Sequence, residues 1–501
     1  MADNAEKTDF PILSVAGDVF RYIPSRIIPG LGGFLSIAIY TRLLGPKDYG
    51  LYALVMVTVS ILSVVFVWIN KSSIRYFEQY KSKNDLSTFI STSITSLVFL
   101  FFVITLIWYM LIAILKGHID KDFAYLLKIG ALVMVAEVGY YFVLTILQAQ
   151  RKSLKYSVYT SINTIGKLLV AICLLWFFSL GPQSILWAII LVTGGLFCFE
   201  LASFFRKWSI NFSRFSKNQI KRFASYGFPL IGEAIGILVL AVSDRYMIQY
   251  FLGPKEVGIY SAGYNIVAVI MDNLFGGILM LAALPVIFQT FEHRGEGETR
   301  SLLKNLLSIY SITLVPIVLG MTALSENIVG VFLGKSFQNA YIILPWVAGG
   351  ILFWGATTYV IKSFELKEKT LYITYLVLFA GGLNIVLNLF FIPVFGILGA
   401  AFSTLAAYLC CFVASLVVSR RIFLISFPWI CFGKSLLAAS GMYLILTSAL
   451  PSHVTNVGSL IVYIFLGAIG YLAMLALLRE RTFLRMLVYF KKAFQKQFGT
   501  V

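Results

Sequence analysis

Histidine occurs three times and cysteine five times in 501 residues, and only 12% of the chain is charged. Each scarcity removes a class of function. Cys173, Cys198, Cys410, Cys411 and Cys431 lie within or beside apolar stretches at spacings that match no metal or redox motif. His118, His293 and His453 fall in expected loops far apart in sequence, which leaves no histidine-based catalytic group and no zinc centre to assemble. Outside the tails the longest connection is under about 20 residues, too short for a catalytic or nucleotide-binding domain. The nearest approach to a phosphate loop, Gly330-Val331-Phe332-Leu333-Gly334-Lys335-Ser336, is one residue short of the Walker spacing and sits on the expected outer side. No cofactor, no metal and no ATP-driven export by this chain alone are expected.

What is present is apolar. The chain is 59% hydrophobic with a mean hydropathy of +0.88, more than a soluble domain can bury. A bilayer core of about 30 Å is crossed by about 20 helical residues, and windows of that length recur throughout. The reading is all-α: a polytopic membrane protein with about fourteen transmembrane helices. The first six run 20–43, 49–70, 87–115, 123–147, 157–179 and 184–205. The other eight run 224–251, 257–289, 302–324, 338–361, 371–393, 397–418, 431–450 and 457–478. An even count puts both ends on one side.

The basic residues identify that side. With the N-terminus cytoplasmic, inside segments hold about 30 of the Lys and Arg and outside turns about six, the asymmetry of the positive-inside rule. Lys71, Arg75, Lys81 and Lys83, then Arg151, Lys152 and Lys155, then Arg206 through Arg222 are among the inside set. This predicts a multi-pass protein of the cell (inner) membrane with both termini cytoplasmic. The first ten residues carry Asp3, Glu6 and Asp9 against Lys7 alone, unlike the basic start of a signal peptide, and predict an uncleaved cytoplasmic tail. Because the cations are spread over short segments, nucleic acid is not an expected partner; anionic lipid headgroups are.

Leu44-Gly45-Pro46-Lys47-Asp48-Tyr49-Gly50-Leu51-Tyr52 returns as Leu252-Gly253-Pro254-Lys255-Glu256-Val257-Gly258-Ile259-Tyr260, with six of the nine pairs identical. Both copies follow one apolar span and open the next, the placement of an internal repeat in a transporter. The division that follows is 1–205 (helices one to six), 206–223 (a basic cytoplasmic linker), 224–418 (helices seven to twelve) and 419–501 (two further helices and a basic tail). The linker is either a membrane-surface segment or a hinge between halves.

Ionisable residues inside spans cost about 2.5–3.5 kcal/mol each at the helix centre, so each is a site candidate. Glu137, Lys167, Glu233 and Asp272 lie near mid-depth; Arg26, Lys128, Asp244 and Arg245 lie nearer an end. Lys167, flanked by about ten apolar residues on either side, cannot easily reach a surface. It either pairs with Glu137 or Glu233 as structural glue, or offers a cation to an anionic substrate. Arg26 and Arg245 widen the second reading, since guanidinium forks suit phosphate oxygens. Helix one combines Arg21 and Arg26 with Pro24, Pro29 and Gly30-Leu31-Gly32-Gly33, as expected of a span lining a cavity. Asp244 and Arg245, adjacent and therefore about 100° apart on a helix, are not expected to neutralise each other.

Tyr40-Thr41-Arg42-Leu43 with the first repeat copy resembles the junction of helices one and two in polysaccharide transporters. These are the O-antigen-type oligosaccharide flippases of the multidrug/oligosaccharidyl-lipid/polysaccharide (MOP) exporter superfamily. Asp244-Arg245 with the second copy looks like the matching element of the other half, and Pro393-Val394-Phe395-Gly396-Ile397-Leu398-Gly399-Ala400-Ala401 is similar to a later family motif. The resemblance implies two pseudo-symmetric six-helix lobes around a cationic cavity, plus two C-terminal helices. It also implies alternating access that carries a polyprenyl-pyrophosphate-linked oligosaccharide to the outer leaflet for surface polysaccharide biosynthesis, with no enzymatic step. Substrate-binding candidates are then Arg21, Arg26, Lys167 and Arg245. The family's use of ion gradients makes Glu137, Glu233, Asp272 and Asp244 the acids available for coupling, with no motif assigning that role. Expected partners are the lipid-linked oligosaccharide, membrane lipids, glycosyltransferases and a polysaccharide polymerase, around a monomeric transport unit. The competing readings are a lipid II flippase, a multidrug or cation antiporter of the same superfamily, and a membrane polymerase or acyltransferase. An acid-dominated cavity would favour the antiporter, and a large outer loop or an embedded histidine the enzyme.

Overall fold

The computed structural model describes residues 12–488 apart from 116, 151, 209 and 450–455. Side chains are described from Ile27 onward, except at 229, 273, 281, 282 and 449. The expectations for both tails and for His453 fall outside these residues. Among the described residues the fold is all-α. Eleven helices are long and apolar enough to cross a membrane, or twelve if one bent pair, Lys217–Phe228 with Leu230–Leu252, counts as a span; Ile27–Leu43 is a shorter apolar helix. The longest of these stretches, Pro254–Ala323, is broken at Gly295, whose φ of 79° no helix contains.

The chain forms two compact units. One is built on Ile27–Ser261 with Gly381–Gly396, the other on the residues up to Arg26, Ala262–Ala380 and the residues from Ile397 on. In the first, α1 (Ile12–Leu43), from Ile27 onward, leads into α2 (Pro46–Ser63), which starts on Pro46 because proline needs no N–H in a first turn. A 3₁₀ turn, Val64–Phe66, joins α2 to α3 (Val67–Ser82). Then follow α4 (Leu86–Leu115), α5 (Lys121–Ala149), α6 (Ser153–Phe178), α7 (Gln183–Ile189), a π-helical turn Ile190–Gly194, α8 (Gly195–Trp208) and α9 (Lys217–Leu252). Of the apolar window of α5, 78% is buried, against 11% for α6; α5 is therefore the core of this unit and most of α6 faces outward. Helices α2, α3, α6 and α7 pack around α5.

The connection between α8 and α9 is hydrogen-bonded to the start of α4. Ser87 Oγ donates to Trp208 O at 2.6 Å, Ser216 N donates to Thr92 Oγ1 at 3.1 Å, and Gln219 Nε2 donates to Phe89 O at 3.1 Å. Short hydroxyl side chains at the first turns of α4 thus receive the backbone of the basic segment and fix the entry of α9.

The second unit holds the rest of α10 (Pro254–Ala268), a π-helical segment Val269–Gly276, α11 (Gly277–Ala323), α12 (Ser325–Phe332) and a 3₁₀ segment Lys335–Ile343. It continues through α13 (Leu344–Leu366), the first part of α14 (Leu371–Phe395), α15 (Ile397–Ile422), α16 (Trp429–Ala449) and α17 (Val457–Leu477). Buried tyrosines tie these helices by their hydroxyls: Tyr310 donates to Leu352 O at 2.9 Å and Tyr471 to Ile312 O at 2.8 Å. A tyrosine can be buried in an apolar bundle only where its O–H finds such an acceptor.

Candidate functional site

Within the first unit, α2, its 3₁₀ turn, α3 and α5 line an open cavity of about 390 Å³. Its polar lining comes from Ser60, Ser63, Asn70, Glu137 and Tyr141. Glu137 Oε1 accepts from Lys167 Nζ across a gap of 3.4 Å, the two side chains being 30% and 28% exposed. Of the two acids open to Lys167 from sequence, Glu137 is the partner the structure provides. At 3.4 Å the contact is long for a charge-assisted hydrogen bond, so Lys167 is held loosely. Asn70, 6% exposed, lines the cavity while its Oδ1 is closed off and accepts no hydrogen bond among the described residues.

Asp244 and Arg245 correct a sequence expectation: they pair, Nη1 to Oδ1, at 3.1 Å. The angle between adjacent residues on a helix does not prevent this, because the long arginine side chain folds back along α9 until Nη1 also donates to Ala241 O at 2.6 Å. Asp244 accepts two further bonds, from the Arg245 backbone N–H at 2.8 Å and from the Tyr260 hydroxyl of α10. Both residues are buried, at 1% and 6% exposure. Arg245 is held in this cluster.

A second polar cluster was not anticipated. Glu200 on α8, 3% exposed, accepts from Lys155 Nζ at 2.7 Å on each oxygen and from Tyr159 Oη at 2.7 Å. Two turns earlier, Thr193 Oγ1, in the π-helical turn, donates to Asn163 Oδ1 at 2.8 Å. Lys155, Tyr159, Asn163 and Lys167 recur at every fourth residue and so share one face of α6. That spacing is visible in the sequence, although Lys155 counts there as an inside cation and Glu200, within the 184–205 span, is not among the ionisable candidates.

The remaining candidates lie on α1, on α9 and in the π-helical segment Val269–Gly276. Arg21 and Arg26 lie on α1 but outside the residues whose side chains are described. Glu233 is half-buried on α9 and interacts with its surroundings. Asp272 lies in the π-helical segment of the second unit, where π geometry frees backbone groups that a regular helix would bond. Among the described residues no group of three or more His, Cys, Asp and Glu side chains is placed to hold a metal ion.

The profile of the family described as polysaccharide biosynthesis protein matches residues 16–291, more than half of the chain. The chain belongs to that family. Among curated relatives, the probable low-salt glycan biosynthesis flippase of Haloferax volcanii is 23% identical over 184 residues, covering 37% of this chain and 39% of that protein. The succinoglycan biosynthesis transport protein of Rhizobium meliloti is 21% identical over 322 residues, covering 63% of this chain and 62% of that one. In both cases the matched part is less than two thirds of the relative's length. Among solved structures, this polysaccharide biosynthesis protein is similar to the lipid II flippase MurJ in an inward closed conformation. The TM-score is 0.76 at 14% identity, over 93% of this chain and 98% of that one. It is also similar to an inward-facing multidrug resistance MATE family transporter of the MOP superfamily, with a TM-score of 0.64 at 11% identity, over 80% and 97% of the two chains. At such identities the likeness is one of fold, and that fold is the MOP transporter fold.

Proposed function

We propose that this polysaccharide biosynthesis protein is a flippase. It moves polyprenyl-pyrophosphate-linked oligosaccharide units from the cytoplasmic to the outer leaflet of the cell membrane by alternating access, for surface polysaccharide biosynthesis. The observation that carries the reading is the family match over residues 16–291, and the chemistry of the first unit agrees with it. A lysine inside a membrane helix, loosely held by one glutamate beside a cavity with hydroxyl and amide lining, suits a charged and hydroxyl-rich headgroup. In this reading Lys167 meets the pyrophosphate and Glu137 keeps it company between cycles.

The basic-residue distribution supports cytoplasmic termini in an inner membrane, and the transport unit in this reading is a monomer working beside glycosyltransferases and a polymerase. The acids Glu137, Glu233, Asp272 and Asp244 remain the set from which ion coupling would be drawn; the three bonds that Asp244 accepts make it the least free of them. Arg21 and Arg26 stay candidates for substrate binding on their residue type alone.

Depleting the protein from cells tests the reading. Lipid-linked oligosaccharide should accumulate in the cytoplasmic leaflet while surface glycan falls; normal surface glycan in a strain without a redundant flippase would contradict it. The fold likeness to MurJ favours lipid II as a second substrate reading, and accumulation of peptidoglycan precursor in the same strain would select it.

A further inference from the structure

Two helical stripes line the cavity. Ser60, Ser63, Val67 and Asn70 recur at three- or four-residue spacing through α2, its 3₁₀ turn and α3, while Glu137 and Tyr141 stand four residues apart on α5. Helix α5 turns two adjacent tyrosines opposite ways: Tyr140 is 4% exposed, whereas Tyr141 is 58% exposed and lines the cavity. On the core helix of the unit, an open aromatic ring adds little to packing.

The polar groups beside that ring are acceptors. Ser60 Oγ donates to Met56 O at 2.9 Å and Ser63 Oγ to Val59 O at 2.6 Å, so each hydroxyl has committed its hydrogen to its own helix and offers a ligand only lone pairs. Glu137 accepts from Lys167 through Oε1, and its Oε2 has no hydrogen-bond partner among the described residues. Apart from Asn70, the rest of the lining is apolar, valine for the most part.

A ring face and three acceptors in an apolar wall select by chemistry. Among the described residues that line the cavity none is Lys or Arg, and a carboxylate beside lone-pair hydroxyls repels phosphate oxygens. An organic cation would find Glu137 already paired with Lys167 at 3.4 Å. A hydrocarbon chain would leave the acceptors without donors. A sugar ring satisfies every group: its hydroxyl edge donates to the acceptors, and its C–H face lies on the electron-rich face of an aromatic ring. The volume of about 390 Å³ falls within the range of small-molecule sites, about 300–1,000 Å³.

We propose that this cavity is a saccharide subsite, in which Tyr141 is the stacking platform for one sugar ring and Glu137 Oε2, Ser60 Oγ and Ser63 Oγ accept from its hydroxyls. This rests on the flippase reading and divides its substrate: the cavity takes the sugar, not the phosphate or the lipid chain. Tyr141 is then a specificity residue, deciding whether the lipid carrier is recognised with its sugar or without it.

The full-length protein in nanodiscs tests the subsite with three probes: a polyprenyl pyrophosphate bearing a disaccharide, the same lipid without sugar, and tetraphenylphosphonium as an organic cation. Wild type should bind the glycosylated lipid more tightly than the bare one. Y141A should weaken the glycosylated lipid about five-fold and leave the bare lipid within about two-fold. Y141L, which keeps bulk without a ring, should behave like Y141A and replaces it if Y141A does not fold. Y141F keeps the ring and should stay within about two-fold of wild type on both lipids. S60A/S63A should cost about three-fold on the glycosylated lipid alone, the value of lost hydrogen bonds. No loss in Y141A and Y141L, an equal loss on both lipids, or a Y141F variant as weak as Y141A overturns the subsite. Tetraphenylphosphonium binding that Y141A abolishes also overturns it, by assigning the cavity to a cation. Those results leave the flippase reading standing as long as wild type binds the two lipids; a wild type that binds neither overturns that reading and the subsite with it.

Discussion

Gly50 on α2 and Gly258 on α10 meet backbone to backbone. A Cβ added to Gly50 would lie 2.9 Å from Gly258 N, and one added to Gly258 would lie 3.0 Å from Gly50 N; each would also strike the carbonyl of the other copy's proline, Pro254 or Pro46. The contacts are reciprocal, as in a two-fold interface where residue i meets j and j meets i. The repeated Leu-Gly-Pro-Lys element therefore packs against itself, and its second glycine is there because nothing larger fits.

Replacing either Gly50 or Gly258 by alanine should lower the thermal stability of the purified protein, by about 1–3 kcal/mol, since a backbone obstacle cannot rotate away as a side chain can. The first glycines of the two copies should behave differently from each other. Gly45 has ordinary extended angles, φ −72° and ψ 162°, and open space around it, so Gly45→Ala should change stability by under about 0.5 kcal/mol. Gly253 has φ 89° and ψ 176°, a conformation reserved for glycine, so Gly253→Ala should cost about 1–3 kcal/mol despite the same open space. Equal melting temperatures for G45A and G253A would contradict this.

Asp244 should be structural. Asp244→Ala leaves the Arg245 guanidinium buried without its carboxylate and should destabilise the protein by about 3–5 kcal/mol. Tyr260→Phe removes one of three donors to Asp244 and should cost about 1 kcal/mol. Denaturation of both variants in detergent checks the order; a Y260F variant as unstable as D244A would mean that the tyrosine, not the ion pair, holds the cluster.

Glu200 and Lys155 should show energetic coupling although they are 45 residues apart. Glu200→Ala should cost about 2 kcal/mol, below the figure for a fully buried pair because Lys155 keeps 37% exposure and regains water. A double-mutant cycle of E200A and K155A should return about 1–2 kcal/mol of coupling, and additivity within about 0.3 kcal/mol would exclude the pair.

Much of this architecture is legible in the sequence because membrane helices announce themselves by length and apolarity alone. The repeat was legible too, but not the reason for it, since a close approach of Gly50 to Gly258 requires two distant segments to meet. Lys167 could be singled out by its apolar flanks, and its partner narrowed to two acids; choosing Glu137 took the packing of α5 against α6. The pairing of Asp244 with Arg245 failed as a sequence inference because helical angles describe Cβ directions, whereas arginine has enough length to fold back. Glu200 is not among the sequence candidates because its partners, Lys155 and Tyr159, lie more than 40 residues away on α6 and meet it only when α6 and α8 fold.

The central claim concerns Lys167 and is tested most directly by reconstitution. Proteoliposomes carrying a polyprenyl-pyrophosphate-linked oligosaccharide on one leaflet, read by a lectin or glycosidase confined to the other side, measure translocation itself. Wild type should expose the saccharide to the far leaflet. Lys167→Ala should slow this at least ten-fold while melting within about 1 kcal/mol of wild type, because the pair with Glu137 is loose and partly exposed. The exchanged pair E137K/K167E should restore the ion pair but not transport, since the cation then stands on α5. Transport at the wild-type rate by Lys167→Ala, or full recovery in the exchanged pair, would contradict the account.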